Sequence, residues 1–424
     1  MLQISLIREH KQRVINGLQK KNFKNAEQIV EQVCAEDEKR RENQTELDNT
    51  LAESNRLAKE IGILMKEGKK DQAAEAKAKT ASLKEKSKEL SENLKESESR
   101  LQKLLYEMPN LPADRVPAGK TAEDNVVLLQ DGEIPDFDDS FLPHWELIKK
   151  YDIVDFELGV KITGAGFPVY KGKGARLQRA LINFFLDEAT KAGYLEIQPP
   201  ILVNEESCLA TGQLPDKEGQ MYFANEDKLY LIPTAEVPIT NLYRDTILKV
   251  DQLPIKNVGY TPCFRREAGS WGAHVRGLNR LHQFDKVEIV QITQPEKSYE
   301  TLEQMSAHIQ GLLKKLELPY RVLLLCGGDI SFNAALCYDM EVFSGAQKRW
   351  LEVSSASNFE TFQANRLKLR FKDENGKSQL LHTLNGSALA LPRIMAALLE
   401  NNQTPEGIRI PKVLQAYTGF DLIS

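Results

Sequence analysis

The feature that most constrains the fold is the segment from Ala26 to Tyr106, which contains no proline and is rich in the helix-favouring residues Glu, Lys, Ala and Leu. Its main break is Lys66-Glu-Gly-Lys-Lys70, where a glycine and several lysines suit a helix C-terminus and a tight reversal. On both sides of this break, small and apolar residues recur at alternating spacings of four and three, the a and d pattern of a coiled coil. They are Leu47, Thr50, Ser54, Leu57, Ile61 and Leu64 before the break, and Ala76, Thr80, Leu83, Ser87, Leu90, Leu94, Ser97, Leu101 and Leu104 after it. The pattern predicts two antiparallel helices of about 38 residues, a rod on the order of 55 Å long.

Periodicity alone leaves two uses of this hairpin open, a spacer or oligomerising coiled coil and a binding arm. The net charge of −5 over 424 residues argues against a uniformly basic nucleic-acid binder. The charge is uneven, however, because residues 1–105 carry 22 Lys and Arg against 19 Asp and Glu, whereas the rest carry 34 against 42. The hairpin therefore belongs to the more cationic part of the chain.

Composition divides the rest of the chain into a linker and a second domain. Prolines in Met108–Pro112 and Val116–Gly119 end the helical segment, and Asp131–Asp139 is expected to be a loop with one strand at most. From about Phe141, short Val, Ile, Leu and Tyr runs alternate with amphipathic helices, which is typical of an α+β domain with antiparallel strands. We predict domains at 1–106 and 141–424, joined by a linker at 107–140.

Neither a membrane span nor a secretory signal is visible, because no apolar run reaches the roughly 18 residues of a span and the first ten residues lack a basic and then apolar pattern. The five cysteines are widely separated and form no paired C-x-x-C motif. We therefore expect a soluble, cytoplasmic protein with reduced cysteines and no membrane partner.

Three stretches of the second domain are considered for function, and the second and third contain residues that a fold alone does not explain. The first is only a helix, Ala175–Thr190, followed by a predicted strand, Gly193–Leu202. The second, Cys263–Glu288, concentrates arginines and glycines, and arginine forks match phosphate or carboxylate groups. Its arginines are Arg265, Arg266, Arg276 and Arg280, and the nearby Phe284 suits either a core or stacking on a purine.

The third stretch, His382–Asn401, is predicted to be a polar turn that leads into an apolar helix. Arg393 in this helix requires an anionic partner, either an internal carboxylate or a nucleotide phosphate. Between the second and third stretches, Glu352 and Ser355 form a possible pair of oxygen ligands for Mg²⁺ that bridges phosphates.

The three stretches resemble, in order and spacing, motifs 1, 2 and 3 of the class II aminoacyl-tRNA synthetases, and the resemblance covers the chain after about residue 141. Five shorter runs and the helical hairpin are similar to the seryl-tRNA synthetase family. The runs are Thr234-Ala-Glu236, Phe264-Arg-Arg-Glu-Ala-Gly-Ser270, His282-Gln-Phe-Asp-Lys-Val-Glu288, Glu352-Val-Ser-Ser355 and Thr383-Leu-Asn-Gly-Ser-Ala388. The resemblance implies a class II antiparallel-sheet catalytic domain preceded by a coiled-coil arm.

The resemblance also implies an ATP site in which Arg265 binds the α-phosphate, Glu267 binds the adenine amino group, Phe284 stacks on the ring and Arg393 binds the γ-phosphate. Catalytic residues would be Arg265, Arg393 and Glu352, and Glu352 and Ser355 would hold Mg²⁺. Further ATP contacts are expected from Arg266, Arg280, Val353 and Ser354.

For the second substrate, the resemblance implies an L-serine pocket that recognises the ammonium and hydroxyl groups. Its residues would be Thr234, Ala235, Glu236, Arg265, Glu288, Asn385 and Ser387. The seryl group would pass to the 3′ end of tRNA(Ser), and charging of tRNA(Sec) is a further expectation. The arm would lie along the variable arm of the tRNA, and motif 1 would form the interface of a homodimer.

Two departures from the family pattern concern the motif 2 loop. Arg266 stands where a serine is common, and Trp271, Ala273, His274 and Val275 replace smaller or charged residues. They bear on recognition of the tRNA acceptor end rather than on ATP chemistry. Two other functions fit these residues less well, because a ligase that loads a carrier protein would lack the arm and a catalytically silent homologue would have damaged motifs.

Overall fold

The computed structural model describes residues 1–134, 140–268 and 276–424. The chain forms two compact units, one from Met1–Gln19 and Phe23–Pro109 and the other from Lys20–Asn22 and Asn110–Ser424. The predicted boundaries at 106 and 140 stay a prediction. Parts of two sequence-based expectations, the end of the Asp131–Asp139 loop and the unusual Trp271, Ala273, His274 and Val275, lie outside the described residues.

The first unit is helical and consists of two short helices followed by the two long ones. They are α1 (Ile4–Glu9), α2 (Lys11–Lys20), α3 (Ala26–Lys66) and α4 (Lys70–Glu107). Gly68 has a φ of +74° in the reversal, a conformation that glycine adopts without strain. Ion pairs join Lys79 to Glu53 at 2.8 Å and Lys86 to Glu46 at 2.7 Å, so residue numbers rise along one helix as they fall along the other. The antiparallel hairpin is confirmed.

The seam between α3 and α4 buries the residues that the heptad pattern selected. Leu57, Leu90, Leu94 and Leu101 are each less than a tenth exposed, because they face the opposite helix. Towards the tip the stripe is only half-buried, as at Ile61 and Leu83. The seam is narrow because small or polar side chains occupy several a and d positions.

The second unit is built on an eight-stranded sheet and is α+β, as predicted. Its helices are α5 (His144–Lys150), α6 (Phe156–Ile162), α7 (Gly172–Lys191), α8 (Glu205–Thr211), α9 (Glu236–Asn241), α10 (Ser298–Lys315), α11 (Thr361–Leu367), α12 (Leu391–Asn401) and α13 (Lys412–Thr418). Its strands are β1 (Val126–Asp131), β2 (Val154–Asp155), β3 (Val169–Tyr170), β4 (Leu195–Glu196), β5 (Leu202–Val203), β6 (Phe223–Ala224), β7 (Leu229–Leu231), β8 (Ile247–Leu248), β9 (Ile255–Phe264), β10 (Gln283–Thr293), β11 (Tyr320–Leu324), β12 (Leu336–Ser344), β13 (Arg349–Asn358), β14 (Arg370–Lys372), β15 (Ser378–Leu380), β16 (His382–Ala390), β17 (Gln403–Thr404), β18 (Gly407–Arg409) and β19 (Leu422–Ile423).

The strands of the large sheet run in the order β1-β11-β12-β13-β16-β10-β9-β4, and every pair is antiparallel except β4 with β9. Residues alternate between the two faces of a strand. On β10, Val287 and Ile289 are fully buried in a core that also contains Phe184 of α7, Met305 of α10 and Ile394 of α12. The opposite face of the sheet is therefore free to form a polar site.

Two sequence-based assignments of secondary structure were wrong. Gly193–Leu202 is not one strand, since only β4 and the start of β5 are extended pairs and two prolines lie between them. His382–Ala390 is not a turn but a nine-residue central strand, β16. Its polar residues suggested a turn, but they alternate with Leu384, Gly386 and Ala388, which is the pattern of a strand with one polar face. A strand in the predicted linker, β1, was also missed.

Candidate active site

A cleft of about 320 Å³ lies on the polar face of the large sheet. Three neighbouring strands, β13, β16 and β10, supply its floor with residues that share one face of each strand. On β10 these are Phe284, Lys286 and Glu288, spaced two apart, and on β16 they are Asn385 and Ser387. The period of a strand therefore explains why these polar side chains converge.

Strand β13 contributes residues at a different spacing because it contains a bulge. Ser354 pairs with Met340 and Glu352 pairs with Glu341, so Val353 is an extra residue opposite the β12 strand. In a regular strand, residues three apart point to opposite faces, but one extra residue restores them to the same face. Glu352 and Ser355 therefore both line the cleft.

Arg265 and Phe284 form one wall of the cleft. Arg265 follows the end of β9, and its backbone N–H donates to the His282 carbonyl at 2.9 Å. Its guanidinium carbon lies 5.3 Å from the centre of the Phe284 ring. Beside them, Glu267 has a φ of +49° and forms an ion pair with Arg280. The wall thus combines an aromatic face with two cations and one carboxylate.

Arg393 occupies a different environment from the apolar one expected from its neighbours in sequence. It lies in the first turn of α12, where its side chain is 31% exposed and points into the cleft. Its Nε donates to the Asn279 carbonyl at 3.0 Å and its Nη1 donates to the Glu352 carbonyl at 2.7 Å. The Glu352 carboxylate is 3.5 Å away. The arginine is therefore held by carbonyl groups and one loosely placed carboxylate, which leaves it able to bind an anion.

The other end of the cleft is acidic and buried. Glu236 Oε1 accepts a hydrogen bond from Gln363 at 2.6 Å, and its Oε2 accepts one from Asn385 at 2.9 Å. The same Asn385 amide donates to Glu288 at 3.0 Å. Burial, reinforced by the charge of Glu288, raises the pKa of Glu236 to about 7. Glu288 itself is ion-paired with Lys286 at 2.6 Å. Two carboxylates thus share a site, and Glu288 is the one that forms an ion pair with Lys286.

Most of the residues that the sequence selected line this one cleft, and two do not. Ala235 is fully buried and packs with Ile239 and Val290 beneath the site. Arg266 is exposed, and its backbone N–H donates to the Gln220 carbonyl at 2.9 Å. The roles assigned to the lining residues stay predictions.

Sequence reasoning missed Lys286, Asn279 and Gln363, which position the other groups. Lys286 could have been found, because it lies between Phe284 and Glu288 at the two-residue spacing of a strand face. Asn279 and Gln363 act through contacts between segments distant in sequence, one with Arg393 and the other with Glu236.

Glu352 and Ser355 fit a Mg²⁺ ion that is held mainly by phosphates. Both supply hard oxygen atoms on the same face of β13, and Mg²⁺ characteristically takes one or two carboxylates and completes its shell with phosphate oxygens and water. Within the described ranges, no group of three or more His, Cys, Asp or Glu side chains could hold a metal by itself. These two oxygen donors would suit a metal that is held mainly by a bound substrate rather than a structural metal.

Comparison with known proteins gives consistent matches along the whole chain. Residues 1–112 match the seryl-tRNA synthetase N-terminal domain, and residues 221–402 match the class II tRNA synthetase core domain for G, H, P, S and T. A serine–tRNA ligase of Salinibacter ruber is 51% identical over 99% of this chain and 98% of its own. No helix in the described part of the chain has both the length and the apolar character needed to cross a membrane.

Two solved structures extend this similarity to three dimensions. A seryl-tRNA synthetase from Pyrococcus horikoshii, crystallised with ATP, superposes with a TM-score of 0.92 at 34% identity and covers 100% of this chain and 99% of its own. A cytoplasmic serine–tRNA ligase from Naegleria fowleri, in complex with AMP, superposes with a TM-score of 0.87 at 26% identity over the same shares of the two chains.

Proposed function

Because the chain belongs to the seryl-tRNA synthetase family of class II aminoacyl-tRNA synthetases, we propose that it activates L-serine with ATP and transfers the seryl group to the 3′ end of tRNA(Ser). The observation that carries this proposal is the division of a single cleft into two halves. One half offers Arg265, Phe284 and Arg393, and the other offers the buried carboxylates Glu236 and Glu288. A nucleotide triphosphate suits the first half and an ammonium group suits the second.

The cationic half would bind ATP. Phe284 would stack on the adenine, with Arg265 near enough to the ring to reach the α-phosphate, and Arg393 would bind the γ-phosphate. The adenine amino group would donate to Glu267, and Arg280, which pairs with that carboxylate, would orient it. Glu352 and Ser355 would hold Mg²⁺, which neutralises phosphate charge when bound.

The acidic half would bind serine. The ammonium group has three donors, and Glu236 with Thr234 offers acceptors at one end of the cleft. The serine hydroxyl would reach Glu288, where Asn385 and Ser387 also bond. Such a site discriminates against alanine, because losing the hydroxyl leaves buried polar groups without a partner, and a comparable site rejects its analogue by about 10⁴ to 10⁵.

The reaction needs no protein nucleophile. A carboxylate oxygen of serine attacks the α-phosphorus, the bond from that phosphorus to the pyrophosphate oxygen breaks, and seryl-adenylate and pyrophosphate form. The tRNA 3′-hydroxyl then attacks the seryl carbonyl carbon and AMP leaves. Arg265 and Arg393 contribute by aligning the phosphates and by stabilising the charge that builds on them, which is electrostatic and positional catalysis.

The long hairpin and the surface of motif 1 would serve tRNA and a second subunit. Exposed Lys and Arg side chains on α3 and α4 suit salt-dependent contacts with tRNA phosphates. Near motif 1, several large apolar side chains are exposed, among them Leu195 at 63% and Leu202 at 44%, which suits a homodimer interface. Charging of tRNA(Sec) belongs to the same proposal, because the arm would recognise shape rather than an anticodon.

Pyrophosphate exchange with each common amino acid tests the first half-reaction. We expect exchange that depends on serine and that falls by about 10² or more in Arg265→Ala, as for other lost electrostatic donors. Arg370→Ala is a matched control, since Arg370 is exposed on β14 and does not line the cleft. Exchange without serine dependence, or no exchange, would refute the proposal.

A shortened arm tests the second half-reaction. Removing residues 51–81 and joining the ends with a short glycine linker keeps the Lys86–Glu46 ion pair at the new tip. We expect normal pyrophosphate exchange, a raised KM for tRNA(Ser) and tRNA(Sec), and a weaker dependence of that KM on salt. Equal loss of both half-reactions would show that the arm is structural.

A further inference from the structure

A buried histidine behind the cleft has contacts that reach the cleft wall. His144, at the start of α5, and Glu400, near the end of α12, are both fully buried, and His144 Nδ1 lies 2.7 Å from Glu400 Oε1. On the other side of the ring, the backbone N–H of Leu278 donates to His144 Nε2 at 2.9 Å. Since that N–H can only donate, Nε2 must accept and Nδ1 must carry the proton. The contacts therefore set one neutral tautomer of His144.

The turn that His144 holds also holds Arg393. Leu278 and Asn279 are consecutive, and the Asn279 carbonyl accepts the hydrogen bond from Arg393 Nε at 3.0 Å. Arg393 and Glu400 are seven residues apart on α12, so they lie on the same side of the helix. These contacts form a closed network, which runs from Glu400 on α12 through His144 and the turn of residues 277–279 back to Arg393 on α12.

Further contacts stabilise this network of residues. Gln347 donates to Glu400 at 3.0 Å and accepts from the Asn279 side chain at 2.9 Å. Gly277 has a φ of +66°, and a Cβ atom at this position would lie 2.3 Å from His144 Nε2. The turn approaches the histidine so closely that only glycine fits.

We propose that His144 is a positioning residue for ATP, because its Nε2 fixes the turn of residues 277–279 and thereby the guanidinium of Arg393. This inference rests on the proposed binding of the γ-phosphate by Arg393. The contrasting view is a core histidine that only adds stability, and it predicts no change specific to ATP.

Two substitutions separate these views because they replace different ring nitrogens. The amide oxygen of His144→Gln can reach the position of Nε2 and accept from Leu278, whereas the amide of His144→Asn reaches only the position of Nδ1. In pyrophosphate exchange, we expect His144→Asn to raise the KM for ATP about fivefold to tenfold, the effect of one lost hydrogen bond, with the KM for serine unchanged. His144→Gln should stay within about twofold of the unsubstituted enzyme. Equal KM values for ATP in the two variants would overturn the inference.

Gly277→Ala perturbs the same contact while His144 itself is unsubstituted, so it keeps the test valid if His144→Asn does not fold. It should raise the KM for ATP and leave that for serine unchanged, and a normal KM for ATP would overturn the inference. His308→Asn is a matched control, because His308 is also largely buried but does not line the cleft. The KM for ATP and the KM for serine should both stay normal in this variant.

A double-mutant cycle separates this inference from the proposed function. If His144 acts through Arg393, then His144→Asn should have little further effect in an Arg393→Ala background. If Arg393→Ala raises the KM for ATP and the effects of the two substitutions on that KM are fully additive, the positioning role of His144 is overturned while the phosphate role of Arg393 stands. A normal KM for ATP in Arg393→Ala would instead refute the phosphate role of Arg393, and with it the inference.

Discussion

The raised pKa of Glu236 predicts that serine binding depends on pH. Burial and the neighbouring Glu288 place this pKa at about 7, so the carboxyl group is largely protonated at pH 6 and largely ionised at pH 8. An ammonium group binds the ionised form. The apparent KM scales inversely with the competent fraction, which rises from roughly one tenth to nine tenths over this range, so the KM for serine should fall about tenfold from pH 6 to pH 8.

Calorimetry gives an independent measurement of the same equilibrium. Titrating L-serine into the enzyme in two buffers with different ionisation enthalpies counts the protons released. We expect nearly one proton at pH 6 and very few at pH 8, because Glu236 must ionise to bind. Glu236→Gln removes the titrating group and should bind weakly at every pH. A KM and proton count that do not vary with pH, or that vary equally in Glu236→Gln, would refute this reasoning.

Two further predictions concern the Lys286 ion pair and the arm. Lys286→Met leaves Glu288 buried without its cation, which should destabilise the enzyme by about 3 to 5 kcal/mol in thermal unfolding and raise the KM for serine in pyrophosphate exchange. Lys368→Met removes one partner of an exposed ion pair, and it should change neither the stability nor the KM for serine. Leu94→Ala opens a cavity in the arm, and it should lower the free energy of unfolding by about 2 to 4 kcal/mol in denaturant while pyrophosphate exchange stays normal. Leu51 is 44% exposed on α3, so Leu51→Ala should lower the free energy of unfolding far less. Equal losses in the two variants would contradict the observed seam.

The hairpin was predictable because its determinants are local. Helix propensity, a heptad spacing and one glycine-containing break are all read within a single segment, and the reversal falls between Lys66 and Lys70 as expected. The sheet was less predictable because its central strand β16 consists largely of small and polar residues. Its stability comes from pairing with β10 and β13, which are distant in sequence.

The environment of Arg393 shows the same limit within the site. The neighbouring Ile394 and Met395 suggested an apolar surrounding, but a helix turns by about 100° per residue, so adjacent side chains face different directions. Which direction leads to the cleft depends on the turn at Asn279 and on the carbonyl of Glu352, neither of which is near in sequence. The binding of an anion by Arg393 stays a prediction, and the carbonyl groups that hold the arginine could not be inferred from the sequence.

Strand β10 sets the distance between the two halves of the cleft. Phe284 and Glu288 are four residues apart on the same face of β10, so at ~3.3 Å per residue they are separated by roughly 13 Å. This distance is similar to the length of an aminoacyl-adenylate, measured from the adenine ring across the ribose and the α-phosphate to the amino acid. A slip of one residue would turn Phe284, Lys286 and Glu288 together into the apolar core. The alternation of Val287 and Ile289 into that core prevents such a slip. The hydrophobic residues of β10 therefore determine where its polar residues lie in the cleft.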